Sequence, residues 1–496
     1  MLVLTGNLVN SIRLVAKQGF VRPYHSRVDK NLGVPYCDSV SKATQERNSR
    51  REIFGWIMYD WANHAFFTLV LGVLIAKFVT ELARAAVGEN GPLVSLGGYN
   101  LVTEKSLYSY SVGVSVFFQI FFLPVLGAIA DYTHLKKTLL AFFCYLGAIS
   151  VGLLFFAGEG HYFLAAFLFI VANLSAGASI VFFNSYLNDI TTEDRRDQVS
   201  SWSFATGYTG GTLTLVFGLI FLLYSDSFGI SKMAAVRICF LFAAVWWGGF
   251  AVLTFLNLKS RIPERSAPEG KHYIATGFSE LWATLKELAK LRQTLRFLIG
   301  YLLYNDGIQT VIAMAALFLS EEVRGPDGSR LTEINLFVAF LIAQVVGILG
   351  ALVFERIAHW TNSKTAILIS LAIWCGIVIY GYGFLQTLTE AYCMSGAIGF
   401  VLGGSQALSR SLFSQMIPRG REAAFFGIYA ISERGTSWIG PIVFGLVAQM
   451  TDSYRPAILA LIFFFIIGSL ILLVTDTAKA IHDAGNLLPD EAAEIS

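Results

Sequence analysis

Residues 55–70 of the chain read GWIMYDWANHAFFTLV, an apolar and aromatic stretch that nevertheless contains Asp60, Asn63 and His64. The surrounding run, residues 54–80, is long enough to cross a bilayer, since about 20 apolar residues in a helix span the hydrocarbon core. An acid in such a helix is costly unless water or a partner charge surrounds it. The stretch therefore predicts a membrane-spanning helix with an ionisable group inside it.

The composition of the whole chain also favours a membrane protein. Of its 496 residues, 55% are hydrophobic and 14% are charged, whereas soluble globular proteins average about 25% charged residues. The formal net charge of +2 gives no indication of a nucleic-acid partner. The five cysteines form no CxxC pair, so neither a disulfide framework nor a zinc site is indicated.

Apolar runs of similar length recur along the chain, and inside lipid each must form a helix so that its backbone polar groups are paired. We count twelve such runs. They cover residues 54–80, 107–130, 138–157, 161–187, 201–224, 235–257, 294–319, 333–355, 365–385, 389–412, 424–449 and 455–475. The sequence thus predicts an all-α membrane protein with twelve transmembrane helices.

The distribution of lysine and arginine between alternate loops predicts the orientation, because short cytoplasmic loops are enriched in these residues. If the N-terminus is inside, the inside loops hold Lys136, Lys137, Arg195, Arg196, Arg356, Lys364, Arg419 and Arg421. The opposite loops hold fewer basic residues. Both termini are therefore predicted to be cytoplasmic, which an even number of spans also requires.

A polar segment divides the predicted helices six and six. The predicted parts are a basic cytoplasmic N-terminal tail (1–52), a first six-helix bundle (53–257), a cytoplasmic linker (258–293), a second six-helix bundle (294–475) and a mobile cytoplasmic tail (476–496). Within the linker, GFSELWATLKELAKLR has apolar residues at helical spacing and Lys286, Lys290 and Arg292 on the other face. This pattern is typical of a helix on the membrane surface or of a helix packed on protein.

The first 28 residues contain four basic residues and no acid. This bias fits a transit peptide or a basic tail that follows the positive-inside rule, and we favour the tail. Elsewhere, two pairs of loop segments recur at nearly the same offset, 127–137 with 355–364 and 189–198 with 415–424. These matches indicate a duplicated six-helix unit, a common plan of transporters.

The segment GAIADYTHLKK (127–137) places an acid four residues after a glycine and a basic pair after that. Gly127 allows close helix approach, and Asp131 at a helix end can pair with a cation or with a helix N-terminus of the neighbouring bundle. Together with Lys136 and Lys137, the spacing resembles the loop signature of the major facilitator superfamily, although His134 and Leu135 depart from it. We predict a conformational latch here, and an ordinary loop carboxylate is the alternative.

Longer segments resemble the vacuole-effluxer-like branch of that superfamily. They are YDWANHAFFT (59–68), SSWSFATGYTGG (200–211), YNDGIQT (304–310) and the continuous block GGSQALSRSLFSQMIPRGREAAFFGIYAISERGTSWIGP (403–441). The branch includes a fungal vacuolar amino-acid effluxer and many bacterial permeases. The resemblance implies a twelve-helix fold in two pseudo-symmetric six-helix bundles, and export or uptake of a solute by alternating access.

Two acids inside predicted helices are the main candidates for binding a substrate amino group or a coupling proton. The resemblance implies that the first helix of each half lines a central cavity, so we predict that Asp60 and Asp306 face each other across the path. Tyr59, Asn63 and Tyr304 would line the same pocket. For Asp60 the alternatives are a shallow position that reaches headgroup water and a tie to a neighbouring helix.

For each of the other polar residues in the predicted helices, we consider two roles. His64 lies one turn after Asp60 and can relay protons with it or form a hydrogen bond in the packing, which we favour. Of the adjacent Glu433 and Arg434, the arginine can hold a substrate carboxylate, and a structural ion pair is the alternative. Arg410 is expected to make a structural or gating contact.

Secondary active transport of a small polar solute, with an amino acid favoured and proton coupling possible in principle, is the leading hypothesis. A membrane enzyme that uses Asp60 and His64 on a lipid, or a transport-inactive receptor or scaffold, are the alternatives. No GxxxxGK[ST], HExxH or GxSxG motif occurs, so no cofactor is expected. We expect a monomer, in contact with membrane lipid, in the cell (inner or plasma) membrane, with the vacuolar membrane as the alternative.

Overall fold

A computed structural model describes most of the chain. The described residues are 47–88, 91–96, 99–104, 107–131, 134–260, 273–325, 328, 331, 333–434, 439–451, 453–489 and 491. These described residues form one compact unit. The first 46 residues lie outside the described part, so the choice between a transit peptide and a basic tail stays a prediction.

The described part of the first half, residues 50–257, is mainly helical and includes one hairpin. Its helices are α1 (Arg50–His64), α2 (Ile75–Val87), α3 (Leu107–Asp131), α4 (Lys136–Leu153), α5 (Tyr162–Ile190), α6 (Arg196–Leu223) and α7 (Lys232–Asn257). A π-helix, Ala65–Leu74, joins α1 to α2, so the segment of the opening stretch is one uninterrupted helical span. Between α2 and α3, the strands β1 (Pro92–Leu96) and β2 (Tyr99–Thr103) pair antiparallel, a hairpin that we did not predict.

The second half, residues 292–474, follows a separate linker helix, α8 (Tyr273–Lys290). Its helices are α9 (Arg292–Glu322), α10 (Glu333–Trp360), α11 (Ser363–Gly383), α12 (Leu388–Gln415), α13 (Glu422–Arg434), α14 (Ile439–Thr451), α15 (Tyr454–Ala460) and α16 (Ile462–Val474). A short helix, α17 (Thr477–Asp483), comes last.

Among the described residues, nine helical segments are long and apolar enough to cross a membrane. The predicted spans outside this set are 294–319, 389–412 and 424–449. The first two coincide with α9 and α12, which carry polar side chains near their middles, and the third is described as two shorter helices, α13 and α14. The all-α membrane architecture is confirmed, whereas twelve transmembrane helices and cytoplasmic termini stay predictions.

Small residues let helices of the second half approach closely. A Cβ atom added to Gly399 of α12 would lie 2.0 Å from the carbonyl oxygen of Ala343 in α10, and one added to Gly350 would lie 2.0 Å from that of Phe400. Such backbone contact replaces the hydrophobic driving force, which is weak between helices in lipid. α10 and α12 therefore pack as a close pair.

The linker and the C-terminal segment both pack on the bundle. α8 contacts α3 and α13, with Thr284 and Leu288 buried, so one of its faces lies on protein. After α16, Ile481 is buried, and the Asn486 side-chain amide donates to the carbonyl oxygens of Gln415 and Ile417, each at 2.8 Å. Because these contacts anchor residues 476–489, our prediction of a mobile tail is wrong for that stretch.

Candidate functional site between the two halves

The acid of the opening stretch is buried between the two halves. Asp60, on α1, is 3% exposed. Its Oδ2 accepts hydrogen bonds from the Ser203 hydroxyl at 2.6 Å and from Nη1 of Arg410 at 3.4 Å. Its Oδ1 accepts from the Asn63 amide at 3.4 Å. Asp60 therefore has a polar partner from the first half and a cation from the second.

Arg410, on α12, reaches into the first half of the chain. Its Nε donates to the Ser200 hydroxyl and its Nη2 to the Ser200 carbonyl oxygen, both at 2.9 Å, and Nη1 lies 3.4 Å from the Asn184 Oδ1. The guanidinium also lies over the rings of Phe204 and Trp56, at 4.3 and 4.9 Å from their centroids. Such fixed, planar contacts favour arginine over lysine, and they join α12 to three helices of the first half.

The imidazole of His64 binds the main chain of Asp60. Its Nδ1 lies 2.8 Å from the Asp60 carbonyl oxygen and 3.1 Å from the Asn63 Oδ1. Both oxygens are acceptors, so Nδ1 carries the hydrogen. The ring also meets Tyr208 edge to face, with centroids 5.6 Å apart. The hydrogen bonds that the imidazole forms with described residues go to these two oxygens and not to the Asp60 carboxylate, and whether His64 packs or relays protons stays a prediction.

The two predicted pocket tyrosines are buried in packing contacts. Tyr59 is 0% and Tyr304 1% exposed. The Tyr59 ring lies against Phe183, with centroids 5.1 Å apart, and the Tyr304 hydroxyl bonds to the Ser409 hydroxyl at 2.7 Å. In this conformation they hold α1 and α9 to their neighbours.

Asp306, on α9, has a separate environment from Asp60. It is 1% exposed, and its Oδ2 accepts a hydrogen bond of 2.8 Å from the backbone N–H of Gly440, in the first turn of α14. Its Oδ1 has no hydrogen-bond partner among the described residues. The two acids therefore do not share a partner, although each is buried inside a helix of a different half.

Glu433 and Arg434 are the last two residues of α13. Their side chains lie outside the described part of the structure, so their roles stay predictions.

Asp131 and Gly127 of the predicted latch contact the second half, and their action as a latch stays a prediction. The Asp131 carboxylate accepts one hydrogen bond from the N–H of Ala423, at 2.9 Å, and one from that of Ala424, at 2.8 Å. These groups lie in the first turn of α13, where the helix dipole favours a negative charge. A Cβ atom on Gly127 would lie 2.2 Å from the Ala423 carbonyl oxygen. Because Gly127 has no side chain, the end of α3 can lie close to the start of α13. The two hydrogen bonds of Asp131 stabilise this close packing.

The basic pair of the latch segment contacts the first half instead. Lys136 pairs with Asp189 at 3.0 Å, and the Lys137 ammonium donates to the Leu258 carbonyl oxygen at 2.6 Å. Lys136 therefore ties two elements of the first half together, and Lys137 binds the residue that follows α7.

Further polar contacts join the halves at the same end of the molecule, where α3 ends and α13 begins; we call it the Asp131 end. The side chains of Asn188 and Arg196 donate to the Ser414 carbonyl oxygen at 2.9 and 3.2 Å, and Arg419 pairs with Glu193 at 3.3 Å. Sequence reasoning missed these contacts because each partner looks like an ordinary loop or helix-end residue.

The exposure of side chains differs between the two ends of α5. On one face of α5, Phe163 and Phe167 are 48% and 61% exposed, whereas Ala178 and Val181, farther along that face, are 0% and 1% exposed. The C-terminal part of α5 also donates a hydrogen bond to the second half, from the Asn188 side chain.

Comparisons with known proteins identify the family of this chain. The profile of the family described as "Vacuole effluxer Atg22 like" matches residues 48–485. The chain belongs to this family. An "Uncharacterized MFS-type transporter YxiO" of Bacillus subtilis is 28% identical, over 91% of this chain and all of the relative. "Autophagy-related protein 22" of Coccidioides immitis is 26% identical, over 88% of this chain and 89% of the relative.

Solved structures that resemble this one include major facilitator transporters. The crystal structure of the transporter FucP "in the outward conformation" gives a TM-score of 0.62 at 12% identity, over 86% of this chain and 98% of FucP. The human organic anion transporter MFSD10 gives 0.61 at 15% identity, over 85% and 99%. At these identities the likeness shows the fold alone.

Family and fold together decide between the classes of function. The Atg22-like chain is an integral membrane transporter with the major facilitator fold, which confirms the resemblance seen in its motifs. Its relatives and fold neighbours are transporters and not enzymes, so the lipid-enzyme alternative is set aside. Arg410 lies within the block 403–441 that carries the resemblance, and that membership was the one sequence signal for its importance.

Proposed function

We propose that this Atg22-like transporter moves a small polar organic solute, with an amino acid as the favoured class, by alternating access between two six-helix bundles. The observation that supports the proposal is the contrast along α5, which is hydrogen-bonded to the second half through Asn188 at the Asp131 end and carries exposed phenylalanines at its other end. A transporter of this kind must close one end of its path while the other is open.

The charges inside the bundle support a zwitterionic solute. Asp306 presents a buried carboxylate oxygen with no described hydrogen-bond partner, which suits a substrate ammonium group or a coupling proton. Arg410 can offer its guanidinium to a carboxylate once its contact with Asp60 opens. In the sealed conformation that contact neutralises both groups, so each charge has a partner before the solute arrives.

We place the Asp131 end, and with it both termini, on the cytoplasmic side. The support is the excess of lysine and arginine in the loops at this end, such as Lys136, Lys137, Arg419 and Arg421, as the positive-inside rule requires. The conformation described here would then face away from the cytoplasm. We keep the cell membrane as the favoured location, the vacuolar membrane as the alternative and the monomer as the working state.

Flux measurements in proteoliposomes test the function. Purified protein is reconstituted and screened for uptake of labelled amino acids, sugars and organic acids, with and without an imposed pH gradient. We expect saturable flux of an amino acid that Asp60→Asn abolishes while the protein still elutes as a folded species. Flux of a sugar alone would overturn the substrate class, and absence of all flux in folded wild-type protein would favour a receptor or scaffold.

A matched control uses an exposed acid. Asp226, in a turn after α6, is exposed, so Asp226→Asn removes one negative charge without touching the interface between the halves. The flux of Asp226→Asn should equal that of the wild type. A loss of flux in Asp60→Asn is then due to the buried position of Asp60 and not to the loss of a negative charge alone.

A further inference from the structure

The linker helix α8 has two faces, and the bundle covers only one of them. Thr284 and Leu288 are 1% and 4% exposed on the covered face. On the opposite side, Trp282 is 62% and Leu285 39% exposed. These two side chains, with Lys286 and Lys290, form what we call the α8 outer face.

The outer face combines apolar and cationic groups. The Lys286 ammonium lies over the Trp282 ring, 5.6 Å from its centroid, and Lys290 is exposed one turn farther along. Neither lysine forms an ion pair with any described residue. Tryptophan beside lysine is the combination that proteins place at the boundary between lipid headgroups and acyl chains.

The position of α8 in the chain sets its depth in the membrane. It ends at Lys290, and α9 begins at Arg292 after a single residue. α8 also contacts α3 and α13 at the Asp131 end, where the predicted spans leave the bilayer. An exposed tryptophan and leucine at this level therefore meet headgroups rather than open water.

From these observations we infer that the α8 outer face docks onto an anionic phospholipid surface, and that this docking favours closure of the Asp131 end. The first part rests on the charge and exposure of α8. The second part rests on the proposed alternating access.

A specific contact connects α8 to the latch. Glu287, between the two faces of α8, pairs with Arg421, the residue immediately before α13. The first turn of α13 supplies the N–H groups that bind Asp131. A docked α8 therefore holds the start of α13 against the end of α3.

The docking is tested with the full-length protein in nanodiscs. An environment-sensitive dye is attached to Ala289→Cys, an exposed position on α8, in a background whose native cysteines are replaced by serine. Nanodiscs contain phosphatidylcholine alone or with phosphatidylglycerol. We expect the emission to shift to the blue with phosphatidylglycerol and the shift to disappear at high salt, since a Debye length shorter than the lysine–lipid distance removes the attraction.

Variants identify the groups responsible. In Lys286→Gln the response at a fixed phosphatidylglycerol fraction should fall about fivefold, and further in Lys286→Gln/Lys290→Gln, because a basic residue contributes about one kilocalorie per mole at an anionic surface. Lys479→Gln, an exposed lysine on α17, should leave the response unchanged. Equal emission in both lipids, or an unchanged response in the double variant, would overturn the docking.

Coupling to the latch needs a second readout. Spin labels at Leu135→Cys, in the first half, and Thr361→Cys, in the second, report the separation of the halves at the Asp131 end, and both positions are exposed. Phosphatidylglycerol should increase the population with the shorter distance, and Glu287→Gln should cancel that increase while the dye response persists. If the population with the shorter distance still increases in Glu287→Gln, the coupling is overturned. If the spin labels report a single distance in every lipid, the result counts against alternating access, whereas the docking of α8 is not affected.

Discussion

Arg410 carries the positive charge that joins the two halves inside the bundle, and its removal leaves Asp60 buried without a cation. Breaking a buried pair in this way costs about 3–5 kcal/mol. We therefore expect Arg410→Gln to lower the melting temperature of the purified protein strongly. Arg296→Gln is a matched control, because Arg296 is exposed at the start of α9 and should melt as the wild type does.

The double variant separates the ion pair from the other contacts of Arg410. In Asp60→Asn/Arg410→Gln no unpaired charge remains, so the protein should regain part of the stability lost in Arg410→Gln. A double-mutant cycle measures this recovery as a coupling energy. Strictly additive losses would show that Arg410 acts through Ser200 and the aromatic rings and not through Asp60.

The carboxylate of Asp306 can be neutralised with little change in its hydrogen bonding. In Asp306→Asn the side-chain carbonyl oxygen can still accept from the Gly440 N–H, so the folded protein should be retained. If Asp306 carries the coupling proton, the variant should lose the response of flux to an imposed pH gradient. Flux in proteoliposomes at two gradients measures this, and a response equal to that of the wild type would remove Asp306 from the coupling step.

At the scale of single helices, Gly127 allows α3 and α13 to touch. The Cβ atom of Gly127→Ala would overlap the backbone of Ala423, so the Asp131 end should no longer close fully. Spin labels at Leu135→Cys and Thr361→Cys should then report a longer separation. Gly113→Ala is the control on the same helix, because nothing lies within 4 Å of a Cβ atom there. If both variants lengthen the separation equally, the cause is a change in helix flexibility and not the overlap with Ala423.

Hydrophobic run length predicted the helices well, because a lipid environment forces a long apolar segment into a helix. The same reasoning had no means of finding the π-helix Ala65–Leu74, since a shift in backbone hydrogen bonding leaves the apolar pattern unchanged. It also missed the β1–β2 hairpin, whose strands are five residues each. Hydrophobic run length also led us to predict that the segment containing α17 is mobile, because that segment has few apolar residues.

Contacts of the candidate site that depend on residues close together in the sequence could be predicted, whereas contacts between distant residues could not. The contact of Asp131 with a helix N-terminus followed from an acid at a helix end in a recognisable loop. The partner of Asp60 did not follow, because Arg410 lies 350 residues away and only the tertiary fold brings the two together. Each acid has its own hydrogen-bond partner, and that Asp60 and Asp306 face each other across the path stays a prediction.

Considered as a whole, the molecule concentrates the polar contacts between its halves at one end. Asp131, Arg196 and Arg419 all bind the opposite half there, and the Asp60–Arg410 pair lies deeper in the bundle. In the proposed alternating access, closure would depend on several modest contacts that open together. Such an arrangement permits a conformational switch, since no single contact has to supply the whole free-energy difference between the two states.

Removal of the latch carboxylate should change the rate of this switch more than the affinity for solute. Asp131→Ala leaves the N–H groups of Ala423 and Ala424 without their acceptors, so the sealed state loses stability, but no group near Asp60, Arg410 or Asp306 is altered. We expect maximal flux to fall several-fold with nearly unchanged half-saturation, and the amides at the start of α13 to exchange hydrogen faster. Asp226→Asn should change neither quantity. A large loss of affinity in Asp131→Ala would mean that the loop acid contributes to solute binding and does not act as a latch.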